Sequence, residues 1–220
     1  MRQIYVVGNN NSYACWMQGE ITTDMAKADV VVWTGGEDVS PALYNRMRNP
    51  MTMSNMTRDE AEVKEYRRAR ELNKPMVGIC RGAQFLCVCA GGLLVQHQEN
   101  RLANHMIKTS SGELLTITSD HHQAQFPWIL NDYDYKILAW TKGLCAFHES
   151  EKTGSEMVYA GDPCQDREVE IAYYILENSL CIQGHPEWMY SKMNLHKPTA
   201  ATIAYCRDLL DLLILDRLCL

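Results

Sequence analysis

Lys74-Pro75-Met76-Val77-Gly78-Ile79-Cys80-Arg81-Gly82-Ala83-Gln84 is the stretch from which the fold can be read. Met76 to Ile79 is a short apolar run that predicts a buried strand. Ala83 to Ala90 is a second apolar run, which predicts a helix stopped at Gly91-Gly92. Between them Gly78-Ile79-Cys80-Arg81-Gly82 flanks a nucleophile with glycine at plus and minus two. This is the nucleophile-elbow pattern with Cys in place of Ser. The glycines suit a strained turn that neighbouring backbone must approach closely. Cys80 would then sit at a helix N-terminus, where partial positive charge favours an anion. Alone, the pattern reads equally well as a buried structural Cys after a strand.

Working outward, 220 residues are enough for a substantial core, and 46% hydrophobic with 22% charged is an ordinary globular composition. The net charge of -6 argues against nucleic acid as the main partner. No apolar run reaches membrane-spanning length, since Asp211, Asp216 and Arg217 interrupt the tail from Leu209 to Leu220. Met1 to Val7 enters a strand at once and lacks a signal-peptide layout. Nine cysteines, an odd number scattered through apolar segments, suit reduced thiols in the cytoplasm. There is no C-x-x-C pair, and Cys87 and Cys89 read as core residues. A metal site made from His97, His105, His121 and His122 lacks acid or Cys ligands at supporting spacing, so no metal is expected. Without repeat, low-complexity run or linker, residues 1–220 read as one domain.

In chain order, Ile4 to Val7 predicts the first strand, and Ser12 caps a short helix running to Met17. Asp29 to Trp33 is a β-branched strand ending at Thr34-Gly35-Gly36. Residues 49–56, with Met51, Met53 and Met56, read as a surface loop with packed Met side chains, the alternative being a mobile flap. Thr57-Arg58-Asp59-Glu60 has capping-box spacing and opens a charged helix to about Leu72, with Ala61, Val63, Tyr66, Ala69 and Leu72 on its apolar face. Leu93 to Val95, Glu113 to Thr118, Lys136 to Thr141, Met157 to Ala160, Val169 to Ile175 and Leu180 to Gln183 read as strands. Thr199 to about Leu218 is a closing helix with Ile203, Cys206, Leu209, Leu210, Leu213 and Ile214 as its buried stripe. Strands followed by Gly-rich loops place a site at the ends of a parallel sheet.

The chemistry gathers around a base for Cys80. A thiol needs a group to take its proton and later protonate a departing amine, and His suits that role near neutral pH. The other ring nitrogen needs an orienting carboxylate. His185-Pro186-Glu187 supplies both immediately after a strand; an extended backbone there would project His185 and Glu187 to one side. A tetrahedral oxyanion needs donors. The Arg81 backbone N–H is one by the elbow geometry, and Gly35-Gly36 offers a second.

Gly78-Ile79-Cys80-Arg81-Gly82-Ala83-Gln84 together with His185-Pro186-Glu187 resembles the class I glutamine amidotransferase superfamily. Gly35 to Pro41 with Tyr44, Arg58-Asp59 with Glu62, Gly91 to His97, and Ser119 to Gln123 resemble its γ-glutamyl hydrolase branch, which includes γ-glutamyl-GABA hydrolases. The matches run in family order from about residue 30 to 190. Leu93, where that branch has Thr, departs from it, as do residues 100–111 and 148–168. The resemblance implies an α/β, flavodoxin-like three-layer sandwich with a mostly parallel central sheet. It implies Cys80, His185 and Glu187 as a triad, Gly36 and Arg81 as oxyanion donors, and Gly35, Gln84 and His121 around a glutamyl moiety.

The resulting expectation is a cysteine amidohydrolase, free of cofactors, that cleaves a γ-glutamyl amide through a thioester. One alternative is a glutaminase subunit delivering ammonia to a separate synthetase. The other is a non-catalytic binding protein on the same fold. The leaving group and the oligomeric state are not legible in the sequence.

Overall fold

The computed structural model describes residues 1–97, 101–142, 167–190 and 196–218. Its main sheet has nine strands, in the order β2 (Gly19–Ile21), β1 (Arg2–Val6), β3 (Val30–Trp33), β4 (Met76–Ile79), β11 (Ser179–Ile182), β10 (Arg167–Tyr174), β9 (Tyr135–Lys142), β6 (Arg101–Thr109), β7 (Leu114–His121). From β2 to β11 all neighbours are parallel, and this order is that of the flavodoxin-like doubly wound sheet. From β11 to β7 all neighbours are antiparallel. The expectation of a mostly parallel sheet therefore holds for the half that carries Cys80. The other half is antiparallel because short connections join β6 to β7 and β10 to β11, as hairpins allow and parallel pairs do not.

The helices explain the apolar runs. α1 (Met56–Glu71) and α2 (Arg81–Cys89) cover one face, where Val31, Trp33, Met76, Cys181 and Tyr174 pack beneath Ala69, Phe85 and Leu86. α3 (Ala200–Ile214) covers the other, where Val30, Val32, Val77, Ile79, Leu180 and Ile182 meet Cys206, Leu209, Leu210 and Leu213. Strands buried on both faces read as continuous apolar runs, and β3 and β4 do. Each of the buried leucines of α3 stabilises this layer by roughly 1.5–3 kcal/mol. Thr199, where the sequence starts the closing helix, caps α3 by accepting from the Thr202 N–H. The remaining two strands, β5 (Leu93–Val95) and β8 (Ala124–Phe126), pair as a small antiparallel ribbon.

Several local expectations are corrected. Residues 11–14 form a 3₁₀ turn without a side-chain cap, because the Ser12 hydroxyl turns to Asn10. The N-cap of α1 is Asn55, whose side chain accepts from the Arg58 N–H, so Thr57 lies inside the helix. On α1, Ala61 and Leu72 are exposed and the buried positions are Asp59, Glu62 and Ala69. Met51, Met53 and Met56 are exposed too. Residues 101–109, polar in sequence, are strand β6, and β2 and β8 had no sequence signal. Met157 to Ala160 lies outside the described residues.

Strand β10 carries a bulge. Its register against β9 shifts between Val169 and Ile171, so those two residues pack into opposite cores although they are two apart.

Candidate active site

Cys80 ends β4 and precedes α2 with φ 52° and ψ -111°, a conformation a non-glycine residue rarely adopts. Its backbone N–H donates to the Ile182 carbonyl at 2.8 Å, which fastens the turn to the neighbouring strand. The flanking glycines serve close backbone approach. A Cβ on Gly78 would lie 2.4 Å from the Gly82 carbonyl oxygen, and one on Gly82 would lie 2.3 Å from the Trp33 carbonyl oxygen. Cys80 lies in a cavity of about 270 Å³ whose wall includes Gly36, Asp38, Met53, Gln84 and residues 120–123. The thiol is 3.8 Å from the Asp120 carbonyl.

His185 follows β11, and its backbone N–H donates to the Thr118 carbonyl at 2.8 Å. Its Nδ1 lies 2.7 Å from a Glu187 carboxylate oxygen, so Nδ1–H donates and Nε2 is the exchanging nitrogen. The turn from Pro186 to Tyr190 is a 3₁₀ turn rather than extended, yet it still brings Glu187 back onto the ring. Trp188 stacks on the imidazole, with centroids 4.1 Å apart and planes 8° from parallel. Burial pulls the His185 pKa down, but the charge and hydrogen bond of Cys80, then those of Glu187, outweigh it and push it up to about 10. Protonation of the His185 ring is therefore favoured.

The glycine loop after β3 forms the opposite wall. Gly36 has φ 141°, and a Cβ there would lie 2.2 Å from Arg58 Nη1. The glycine is thus required by the arginine behind the loop, in addition to any substrate in front of it. Arg58 donates to the Gly35 carbonyl at 3.0 Å and pairs with Glu37 and Glu62, both at 2.7 Å. Gly35 turns away from the Cys80 cavity; a Cβ on it would meet the Tyr13 hydroxyl at 2.6 Å. Tyr13, which the sequence did not single out, has its pKa raised by burial and then by the charges of Glu187 and Cys80.

Arg81 is split in two roles. Its backbone N–H opens α2 and has no intrahelical acceptor. Its side chain is 1% exposed, pairs with Asp59 and Glu62, and lies over the Phe85 ring at 5.6 Å. Asp59 also accepts the Ser40 N–H at 3.0 Å. Burial raises the Asp59 pKa although Arg81 opposes it. Glu62 joins Arg58 to Arg81, so one chain of charge links the glycine loop to the elbow.

Gln84 faces the cavity, and its amide donates to the Gln123 carbonyl at 3.0 Å. His121 is buried, and its ring Nδ1 lies 2.8 Å from the same carbonyl. A carbonyl only accepts, so Nδ1 carries the hydrogen. Burial lowers the His121 pKa, which leaves a neutral ring whose Nε2 is an acceptor without a hydrogen-bond partner. His121 thus offers the cavity wall an acceptor at Nε2 rather than a donor. His122 sits 3.0 Å from Asp38 and 3.2 Å from His97, and the hydrogen bond to Asp38 raises its pKa. Trp188 and Tyr13 were missed; Trp188 follows His185-Pro186-Glu187 directly, while nothing local marks Tyr13.

The Peptidase C26 family pattern matches residues 15–127. A 97-residue stretch, 43% of the chain, is 38% identical to the glutamine amidotransferase-like protein YvdE of Lactococcus lactis and spans 39% of that relative's length. A 175-residue match at 26% identity covers 74% of the chain and 68% of protein NtpR of Enterococcus hirae. Among solved structures, a glutamine amidotransferase of Thermotoga maritima superimposes with TM-score 0.55 at 12% identity, over all of this chain and 98% of that one. At that identity the likeness concerns the fold.

Proposed function

The chain belongs to the Peptidase C26 family, and from that premise we propose that it is a cysteine amidohydrolase that cleaves a γ-glutamyl amide through a γ-glutamyl thioester. The observation that carries the reading is the strained Cys80 interacting with His185, whose other nitrogen lies 2.7 Å from Glu187, in a cavity sized for an amino-acid side chain. His185 holds the thiol proton, and Cys80 Sγ attacks the γ-carbonyl carbon. The backbone N–H groups of Gly36 and Arg81 receive the oxyanion. His185 then passes its proton to the departing nitrogen, and the C–N bond breaks as amine or ammonia leaves. A water that gives its proton to His185 attacks the thioester; glutamate departs and the thiol is restored. Glu187 keeps the ring in its tautomer and stabilises the imidazolium. Gln84 and His121 wall the glutamyl pocket, while Gly35 acts from behind by seating the loop on Tyr13 and Arg58.

No step calls on a cofactor. The six described cysteines are free thiols, which supports a reducing, cytoplasmic setting. No helix among the described residues is long and apolar enough to cross a membrane. The deciding experiment incubates the purified chain with γ-glutamyl amines and with glutamine, and follows amine and ammonia release. Cleavage of γ-glutamyl amines by the chain alone is the expected result. Ammonia from glutamine only after a synthetase is added, with the amines inert, would establish the glutaminase-subunit reading instead. Silence toward both, with Cys80 unreactive to a chloroketone glutamine analogue, would leave a binding protein.

A further inference from the structure

We propose that His121, Glu168 and Glu170 bind a divalent first-row transition-metal ion, of the Zn²⁺ class, behind the wall of the Cys80 cavity. A ring nitrogen of His121 and one carboxylate oxygen from each glutamate lie within 4.8 Å of one another. All three residues are buried, and both glutamates are 0% exposed. Donors bound to one Zn²⁺ at about 2.0–2.2 Å stand up to roughly 4 Å apart, so a small side-chain adjustment closes the set.

The state of His121 points to the ligand. Its Nδ1–H is committed to the Gln123 carbonyl at 2.8 Å, and Nε2 is a buried lone pair without a hydrogen-bond partner. A metal-ligating imidazole ordinarily has this arrangement, with one nitrogen fixed on a backbone carbonyl and the other free to coordinate. Glu170 is held from its far side by His105, whose Nε2 lies 2.6 Å from its Oε1; ligating carboxylates are oriented in this way. The bulge in β10 falls at Glu170 and re-aims that side chain relative to Val169 and Ile171. Imidazole and carboxylate donors without thiolate suit Zn²⁺ or Mn²⁺ rather than Cu⁺ or an iron–sulfur cluster. The acids come from a strand far along the chain from His121, which is why local spacing could not show them. The assignment does not depend on the reaction at Cys80.

The test uses the full chain as Cys80→Ala, which removes the competing thiol of the elbow. Zn²⁺ is titrated into chelator-treated protein by calorimetry, and Co²⁺ is followed by its absorption. One equivalent of Zn²⁺ is expected to bind at a Kd on the order of micromolar or tighter. Adding Glu168→Gln or Glu170→Gln should weaken binding about 10- to 100-fold. Absence of stoichiometric binding, or an affinity in both glutamine variants unchanged from the Cys80→Ala parent, would overturn the site. If a variant misfolds, X-ray absorption on the Zn²⁺-loaded Cys80→Ala chain decides: a shell of only nitrogen and oxygen supports the site, and a sulfur ligand refutes it.

Discussion

Replacing Arg81 with alanine removes a buried guanidinium while leaving the backbone N–H that opens α2 in place. Arg81 is 1% exposed, and its partners Asp59 and Glu62 are buried with it. Removing one member of a buried ion pair costs about 3–5 kcal/mol, because the other charge is stranded. Glu62 keeps Arg58 at 2.7 Å and Asp59 keeps the Ser40 N–H, so the low end, about 3 kcal/mol, applies here. For a chain of this size that lowers Tm by roughly 6–12 °C. The pH dependence adds a sign. Burial already raises the Asp59 pKa against the pull of Arg81, and removing Arg81 raises it further. An acid with a raised folded pKa destabilises once ionised and ceases to do so below its unfolded pKa. The deficit relative to wild type is therefore largest near neutrality and shrinks as the pH falls toward the ordinary carboxylate range. Urea unfolding at several pH values measures it, with turnover normalised to folded protein. Normalised turnover should stay within about tenfold, since the oxyanion donor proposed at Arg81 is its backbone N–H. A deficit below about 1 kcal/mol, or one flat with pH, would show that the network does not hold the elbow. A large loss of normalised turnover at unchanged Tm would place the side chain itself in the reaction.

Three further outcomes are expected. Glu187→Gln should lower kcat by about a hundredfold or more while the protein melts as before, because shape is kept and the charge beside His185 is lost; unchanged kcat would remove Glu187 from the mechanism. Gly82→Ala drives a Cβ to 2.3 Å from the Trp33 carbonyl, so stability should fall by about 1–3 kcal/mol, and chloroketone labelling of Cys80 should slow; a neutral melt would mean β3 and α2 can separate freely. His185, raised from 6.5 to about 10, contributes stability that is complete below pH 6.5 and lost as pH rises through about 10; since Cys80 is the leading upward cause, Cys80→Ala should move that loss to lower pH in urea melts at pH 8 and 10.

The elbow was legible because its needs are local: a strand, two glycines and a helix within a dozen residues. Cys80 and His185 were legible as residues just after strands with Glu187 two residues on, and in the structure Glu187 lies 2.7 Å from His185. The partners of Arg81 were legible only through resemblance, since Asp59 and Glu62 look like ordinary surface charges on a polar helix. Their burial follows from Arg81, which lies in another element. Tyr13 was invisible for a similar reason: its role is set by the contact with Gly35 across two strands. Of the antiparallel half only β6 escaped, because Asn104, His105 and Lys108 interrupt its apolar residues and leave a weak alternation. The tautomer of His121 depends on one carbonyl, Gln123, which only the folded loop supplies.

Strand β4, an interior strand of the sheet, has a consequence for how the protein comes into being. Met76 pairs with Val31 on one side and with Ser179 on the other. The hairpin of β6 and β7 closes over a short loop and forms early, whereas the pairing of β4 with β11 is highly non-local and entropically late. The Cys80 N–H has no acceptor at Ile182 until that residue has been synthesised. A chain still on the ribosome short of that point has the elbow sequence but lacks the strand that strains it. The turn at Cys80 is therefore completed only after β11 has been made, and a chain that stops short of Ile182 is expected to leave Cys80 without the contact that fastens it.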